Sequence, residues 1–326
     1  MKLQILVPQH TETDDIVKVL LDSISMQQTI DFGEVGVIIC NDGTDVHLSR
    51  EMLDSYPFEV QYHLERKRGV SGTRNACFDH SEADYVMFCD ADDMFCDACG
   101  LYVVFREINN GGFDTFVSCF REETKDPDGN SIYINREMDS TFVHGKVYSR
   151  EFLVRNRIRW NDDLTIHEDS FFNILARELT GQHGFKYYPA PFYLWKWRDD
   201  SVCRHDKKYI LKTYNNLLDS NDALISEFLS RGLMDKASFY VATMTFDAYY
   251  TMNKPDWVNQ ENQTYRNATE RRFKRYIESH YDLWNAVPMQ VKMHISRQVR
   301  DRSIDEGMQM EAVTIGTWLD HVRSLA

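Results

Sequence analysis

Short apolar runs, each cut off abruptly by polar residues, set the rhythm of the first ninety positions. Leu3-Gln4-Ile5-Leu6-Val7 stops at Pro8, Val35-Gly36-Val37-Ile38-Ile39-Cys40 stops at Asn41-Asp42-Gly43-Thr44, and Tyr85-Val86-Met87-Phe88-Cys89 stops at Asp90-Ala91-Asp92-Asp93. Runs of this length, bounded by turn residues, read as buried strands. Between them, Ile16, Val19, Leu20 and Ile24 recur at helical spacing behind a cap at Thr13 or Asp14. Glu59 to Leu64 alternates as a third strand, and Gly69-Val70-Ser71-Gly72-Thr73-Arg74-Asn75-Ala76 turns into a helix. Strands alternating with helices predict an α/β chain with a mostly parallel sheet, Rossmann-like, covered by helices on both faces.

The acids matter because of where they fall. In an open α/β sheet the carboxyl ends of the strands open into the ligand crevice, and burying unpaired carboxylates in a core is costly. Asp90 and Asp92 are two apart, so on extended backbone both leave the same face. That spacing suits a divalent cation shared with phosphate oxygens, and it equally suits an acidic turn after a strand. Downstream, Phe113 to Phe120 reads as a strand and Asp126-Pro127-Asp128-Gly129-Asn130 as a turn. Glu168-Asp169 precedes a helix, where a carboxylate is held in its ionised form and can serve as a base, or can simply cap the helix. Trp195 and Trp197 share a face if their segment is extended, and Arg198 and Arg204 supply positive charge for a diphosphate.

From Asp206 onward, apolar pairs such as Leu217-Leu218 and Leu224-Ile225 recur at helical spacing, which divides the chain into 1–205 and a helical 206–326. Composition narrows the options for the whole. A net charge of -14 argues against a general nucleic-acid coat, yet residues 264–302 hold nine Lys and Arg against four Asp and Glu. That local excess suits an anionic acceptor, a solvated helix face or a contact between copies of the chain. No signal peptide or membrane span is visible, and seven scattered cysteines fit a reducing compartment as core thiols. Cys96-Asp97-Ala98-Cys99 lacks a second pair at zinc-site spacing. The expected location is cytoplasmic, including the inner face of a membrane.

Four of these features in this order, Pro8, Asn41-Asp42-Gly43-Thr44, Gly69 to Asn75, and Asp90-Ala91-Asp92-Asp93, resemble the family 2 glycosyltransferases of the GT-A fold. A weaker likeness continues through His144-Gly145-Lys146-Val147-Tyr148, Asn156 to Trp160 and Glu168-Asp169 to about residue 205. The resemblance implies a GT-A domain followed by a helical one. It implies a metal-dependent, inverting hexosyl- or pentosyltransferase that moves a sugar from a nucleoside-diphosphate donor, most commonly UDP, to a hydroxyl of a saccharide or lipid-linked glycan. It places Pro8, Asp42, Arg74, Asp90 and Arg198 around the donor. Mn²⁺ or Mg²⁺ falls to Asp90 and Asp92 with His205 as a third ligand, and Asp169 is the base. Two departures, Gln9-His10 for a usual Tyr-Asn pair and Asn41 for an aspartate, bear on the donor base. Two rival readings stay open: transfer to hydroxymethylated bases of DNA, and a nucleotide-sugar-binding module without transfer.

Overall fold

The computed structural model describes residues 1–199, 208–305 and 314–325. The chain divides into two compact units, Met1–Asp199 and Asp200–Ala326.

The first unit opens with β1 (Leu3–Gln9), α1 (Asp14–Ser25), β2 (Val35–Asn41), α2 (Arg50–Leu53), β3 (Glu59–Leu64), α3 (Gly69–His80) and β4 (Tyr85–Phe88). These strands run parallel in the order β3-β2-β1-β4. Leu3, Ile5 and Val7 of β1, with Val35, Val37 and Ile39 of β2, share a core with Val17, Leu20, Leu21 and Ile24 of α1. The intervening Leu6, Ile38 and Cys40 are equally buried on the opposite face, where α3 packs on β1 and β2. Burial on both faces is why these strands read as unbroken apolar runs.

Pro8 does not end β1, which pairs with β2 through Pro8 and Gln9. The other neighbour, β4, pairs with β1 only as far as Leu6. Proline, with no N–H to give, therefore sits where β1 has one ladder partner.

Beyond the acids the unit continues with β5 (Met94–Phe95), α4 (Gly100–Asn109), β6 (Thr115–Lys125), β7 (Ser131–Arg136), β8 (Lys146–Ser149), α5 (Arg150–Arg155), α6 (Glu168–Leu179) and β9 (Phe185–Trp195). The sheet extends as β4-β8-β6-β9-β5, with β7 hairpinned onto β6 across the turn at 126–130. Pairs β4–β8, β6–β8 and β5–β9 are antiparallel and β6–β9 is parallel, so the parallel half gives way to a mixed one.

The second unit holds α7 (Tyr209–Ser230), α8 (Met234–Met252), α9 (Pro255–Val258), α10 (Gln263–Ser279), α11 (Tyr281–Ala286), α12 (Met289–Asp305) and α13 (Ile315–Ser324). Gly232, at φ +72°, closes α7: its N–H reaches Leu229 O at 3.0 Å while Leu233 N–H reaches Phe228 O at 2.8 Å. α8 packs against α7, α11 and α12. Among the described residues no helix is long and apolar enough to cross a membrane.

Candidate active site

The carboxyl ends of β1, β2 and β4 lie side by side, and each delivers polar side chains to one edge of the sheet. At the end of β2, Asp42 donates its N–H to Gln9 O at 2.8 Å, and its carboxylate accepts from Arg68 N at 2.6 Å and Gly69 N at 3.1 Å. Asp42 therefore caps the start of α3. Asn41 turns the other way. Its amide N–H₂ donates to Gln9 Oε1 at 2.8 Å and Val46 O at 2.9 Å, and Gln9 Nε2 donates to Glu12 O at 2.9 Å. The two departures at positions 9 and 41 are thus one buried pair.

α3 carries Arg74 into the centre. It is 4% exposed. Its Nη2 donates to Asp90 Oδ1 at 2.8 Å and its Nη1 to Glu168 Oε1 at 2.9 Å, while the guanidinium lies 4.5 Å over the Trp160 ring. Asn75 holds the facing segment by donating to Trp160 O and accepting from Trp160 N. Burial alone would raise the pKa of Asp90, but Arg74 outweighs it and the carboxyl is held below its ordinary range.

The remaining two acids of the Asp90 stretch differ sharply. Asp92, a quarter exposed, accepts from Arg198 Nη1 at 2.9 Å, and that arginine also reaches Glu12 Oε1 at 3.2 Å. Burial, and then the Asp90 charge, push Asp92 upward. Asp93 is 1% exposed and fully engaged, accepting from Tyr193 OH at 2.7 Å and Lys196 N at 2.9 Å. His144 Nδ1 stands 3.5 Å from Asp93 Oδ2, too far for a hydrogen bond, and is buried without one. Its ring stacks on Trp195 at 4.9 Å and Tyr193 at 5.3 Å, and burial lowers its pKa to about 3, so it is neutral near pH 7. Trp195 thereby serves the wall behind the acids, and Trp197 donates its ring N–H to Asp199 at 2.9 Å.

Asp169 sits in the first turn of α6, next to the Glu168 that Arg74 grips. The expectation that the helix N-terminus keeps it ionised does not hold. Burial, and then the Glu168 charge, push the Asp169 carboxyl up to about 7 against the pull of Arg74 and of the Ser170 N–H at 2.8 Å. His167, which starts this helix, has a left-handed backbone at φ 63°, a conformation non-glycine residues rarely adopt.

Sequence spacing thus finds Asp42, Arg74, Asp90, Asp92, Asp169 and Arg198 in one connected neighbourhood, with Pro8 in the strand beside them. It names Glu168 and Asp93 without their partners, and it overlooks Glu12 and the way Asp93 and His144 form one wall. The His144-Gly145-Lys146 run is the signal that could have found the wall, because a histidine opening a buried strand needs polar company. Asp90, Asp93 and His144 bring donor atoms within 4.8 Å of one another. His205 lies outside the described residues.

The sequence profile described as Glycosyl transferase family 2 matches residues 4–179, more than half of the chain. The chain belongs to glycosyl transferase family 2. No curated protein matches it by sequence. Among solved structures, residues 1–349 of S. aureus TarS superpose with a TM-score of 0.62 at 15% identity, covering 95% of this chain and 93% of that one. The TarS complex with UDP-GlcNAc gives 0.62 at 16% identity with the same coverages, 95% and 93%. The mannosyltransferase PcManGT from Pyrobaculum calidifontis, in complex with GDP-Man and Mn²⁺, gives 0.50 at 13% identity, covering 98% of this chain and 84% of that one. At these identities the likeness is one of fold: a GT-A unit followed by a helical one. The chain is a glycosyltransferase in which Arg74 joins the strand-end acids to the Glu168-Asp169 pair.

Proposed function

We propose that this glycosyltransferase moves a sugar, with inversion, from a UDP-sugar to the hydroxyl of an anionic saccharide or lipid-linked glycan. The observation that carries the reading is the Arg74 bridge. One guanidinium spans Asp90 on the donor side and Glu168 beside the candidate base, so both halves of the reaction are built around a fixed charge. UDP is supported by the family, and by TarS having been crystallised with UDP and with UDP-GlcNAc.

A divalent ion fits the donor set. Asp90 and Asp92, both partly exposed, offer hard carboxylate oxygens at the crevice, and burial and then the Asp90 charge push Asp92 upward, a cost that a bound cation would relieve. Asp93 and His144, both buried, brace that pair from behind. Mn²⁺ or Mg²⁺ held there would neutralise charge on the departing nucleoside diphosphate. Arg198 stands beside Asp92, where its guanidinium suits a diphosphate as well as a carboxylate. Asp169, once deprotonated, takes the acceptor hydroxyl proton, and a pKa of about 7 matches that task.

The acceptor reading draws on the helical unit. A cavity of about 550 Å³ there is lined by Trp284, Tyr281, Lys292, Arg297, Arg300 and Arg323, with Lys292 lying 4.1 Å over Trp284 and Arg323 4.2 Å over Tyr281. Aromatic floor and cationic rim suit an anionic glycan. Part of the basic stretch that suggested DNA is already engaged within the helical unit: Arg272 bonds Asp219 and Asp222, Arg266 bonds Glu270, and Lys274 bonds Leu325 O.

Calorimetric titration of UDP against GDP, with and without Mn²⁺, on the native chain and on Asp92→Asn tests the donor side. UDP binding that needs both Mn²⁺ and Asp92 is the expected result. UDP binding that ignores both sinks the metal assignment, and no nucleotide binding at all sinks the transferase reading.

A further inference from the structure

A second group of metal-binding side chains gathers under α3, away from the acids. Cys40 pairs with His63 across β2 and β3, so both side chains leave the sheet on the face that α3 covers. From α3, Cys77 and His80 are three residues apart and look out from one side of the helix. The Cys77 thiol neighbours Cys40 and reaches Val7 O at 3.5 Å. His80 Nε2 is 3.1 Å from Glu65 Oε1. The Cys40 sulfur, a Glu65 oxygen and a His80 nitrogen all lie within 4.8 Å of one another. The His63 ring lies flat on His80 at 3.7 Å, fixing its plane, and His63 Nε2 is buried with no hydrogen-bond partner.

We infer that Cys40, Glu65 and His80 form a structural zinc site that pins α3 to the ends of β2 and β3, and that the Cys77 thiol, which lies beside Cys40 but outside that close group, swings in as the fourth donor. Two sulfurs, one imidazole and one carboxylate are a borderline-soft set that suits Zn²⁺ and not Mg²⁺. Zn–S bonds of about 2.3 Å and Zn–N bonds of about 2.0 Å would draw the donor atoms roughly 1 Å closer together. His80 and Glu65, partly exposed where Cys40 is fully buried, give the ion a way in from solvent. Each ligating thiol passes its proton to the buffer, so binding strengthens as pH rises. With Cys77 recruited, four protein donors leave no open position, so the ion would take no part in transfer. It would stiffen the helix that Asp42 caps and that carries Arg74.

The test uses the full chain, stripped with a chelator and titrated with Co²⁺, reading the near-ultraviolet thiolate-to-cobalt charge-transfer band. The band should saturate at one ion per chain, vanish on adding Zn²⁺ and persist in excess Mg²⁺. Cys40→Ser should lose it entirely. His80→Gln, at a part-exposed position that tolerates the change, should weaken Co²⁺ binding while its circular dichroism stays native. The strand-end acids contain no sulfur, so an ion bound there gives no such band, and failure here is separable from failure of the donor-side metal. A native chain without the band, or a Cys40→Ser or native-like His80→Gln chain that keeps it unchanged, overturns the inference.

Discussion

The acid cluster has an inner and an outer half, each organised by one arginine, and the two arginines do different work. Arg74 is buried, stacked on Trp160 and bonded to two carboxylates. Arg198 is a quarter exposed and holds Asp92 and Glu12 at the rim. Removing one member of a buried pair leaves a charge with neither water nor partner, whereas a rim pair can trade its partner for solvent or ligand. The Arg74 bridge is therefore scaffold that holds Asp90 in place, and the outer half is where a diphosphate can displace a side chain.

Four substitutions and a pH profile would break or sharpen that contrast. Arg74→Met strands Asp90 and Glu168, so a loss of about 3–5 kcal/mol in denaturant unfolding is expected, with activity lost in consequence. A stable but inactive Arg74→Met chain would move this arginine from scaffold to substrate binder. Asp169→Asn should leave UDP affinity within twofold of native while turnover falls at least ~100-fold, as for loss of a general base. In the native chain, kcat should rise as pH climbs through about 7 and level off above it, because the carboxyl must lose its proton to act. Flat kcat between pH 6 and 8, values roughly a unit either side of that pKa, would remove Asp169 from the role. Arg198→Gln should weaken UDP by ~10-fold and leave unfolding within about 1 kcal/mol of native, seen by calorimetry and denaturation together. The smallest effect belongs to His144→Gln, which keeps a polar group behind Asp93. A change in Mn²⁺ affinity larger than that of Asp92→Asn would transfer the metal to the buried Asp90-Asp93-His144 set.

The sequence exposes the parallel half of the sheet well, because strands buried on both faces must be apolar throughout and their polar ends stand out. The same logic finds Asp42, Asp90 and Asp92, since each follows such a run. The mixed half is opaque. β7 is exposed along its whole length and β5 is two residues long, so neither carries a pattern. Within the site, adjacent acids diverge for reasons that spacing does not encode. Asp92 meets an arginine from residue 198, and Asp93 meets a tyrosine from residue 193, partners a hundred positions away. The helix-terminus rule misjudges Asp169 for a related reason: it weighs the local dipole and misses the burial and the neighbouring Glu168 charge that prevail. Helical periodicity after residue 206 is plain, but the ion pairs that neutralise Arg272 come from α7 and are invisible in a charge count.

The interlock of Gln9 with Asn41 bears on how this site can change over generations. Asn41 donates to Gln9 Oε1, which Tyr62 OH also reaches, Gln9 Nε2 donates to Glu12 O and Val46 O, and Thr44 N–H donates to Asn41 Oδ1, so both amides are fully engaged. Aspartate at 41 alone would turn a carboxylate oxygen toward Gln9 Oε1 and Val46 O, acceptor against acceptor in a buried place. Tyrosine at 9 alone would leave the Asn41 amide without its mate. The two positions are therefore coupled: a change at either one leaves a buried polar group of the other without its partner, so the donor side of the enzyme resists single substitutions here.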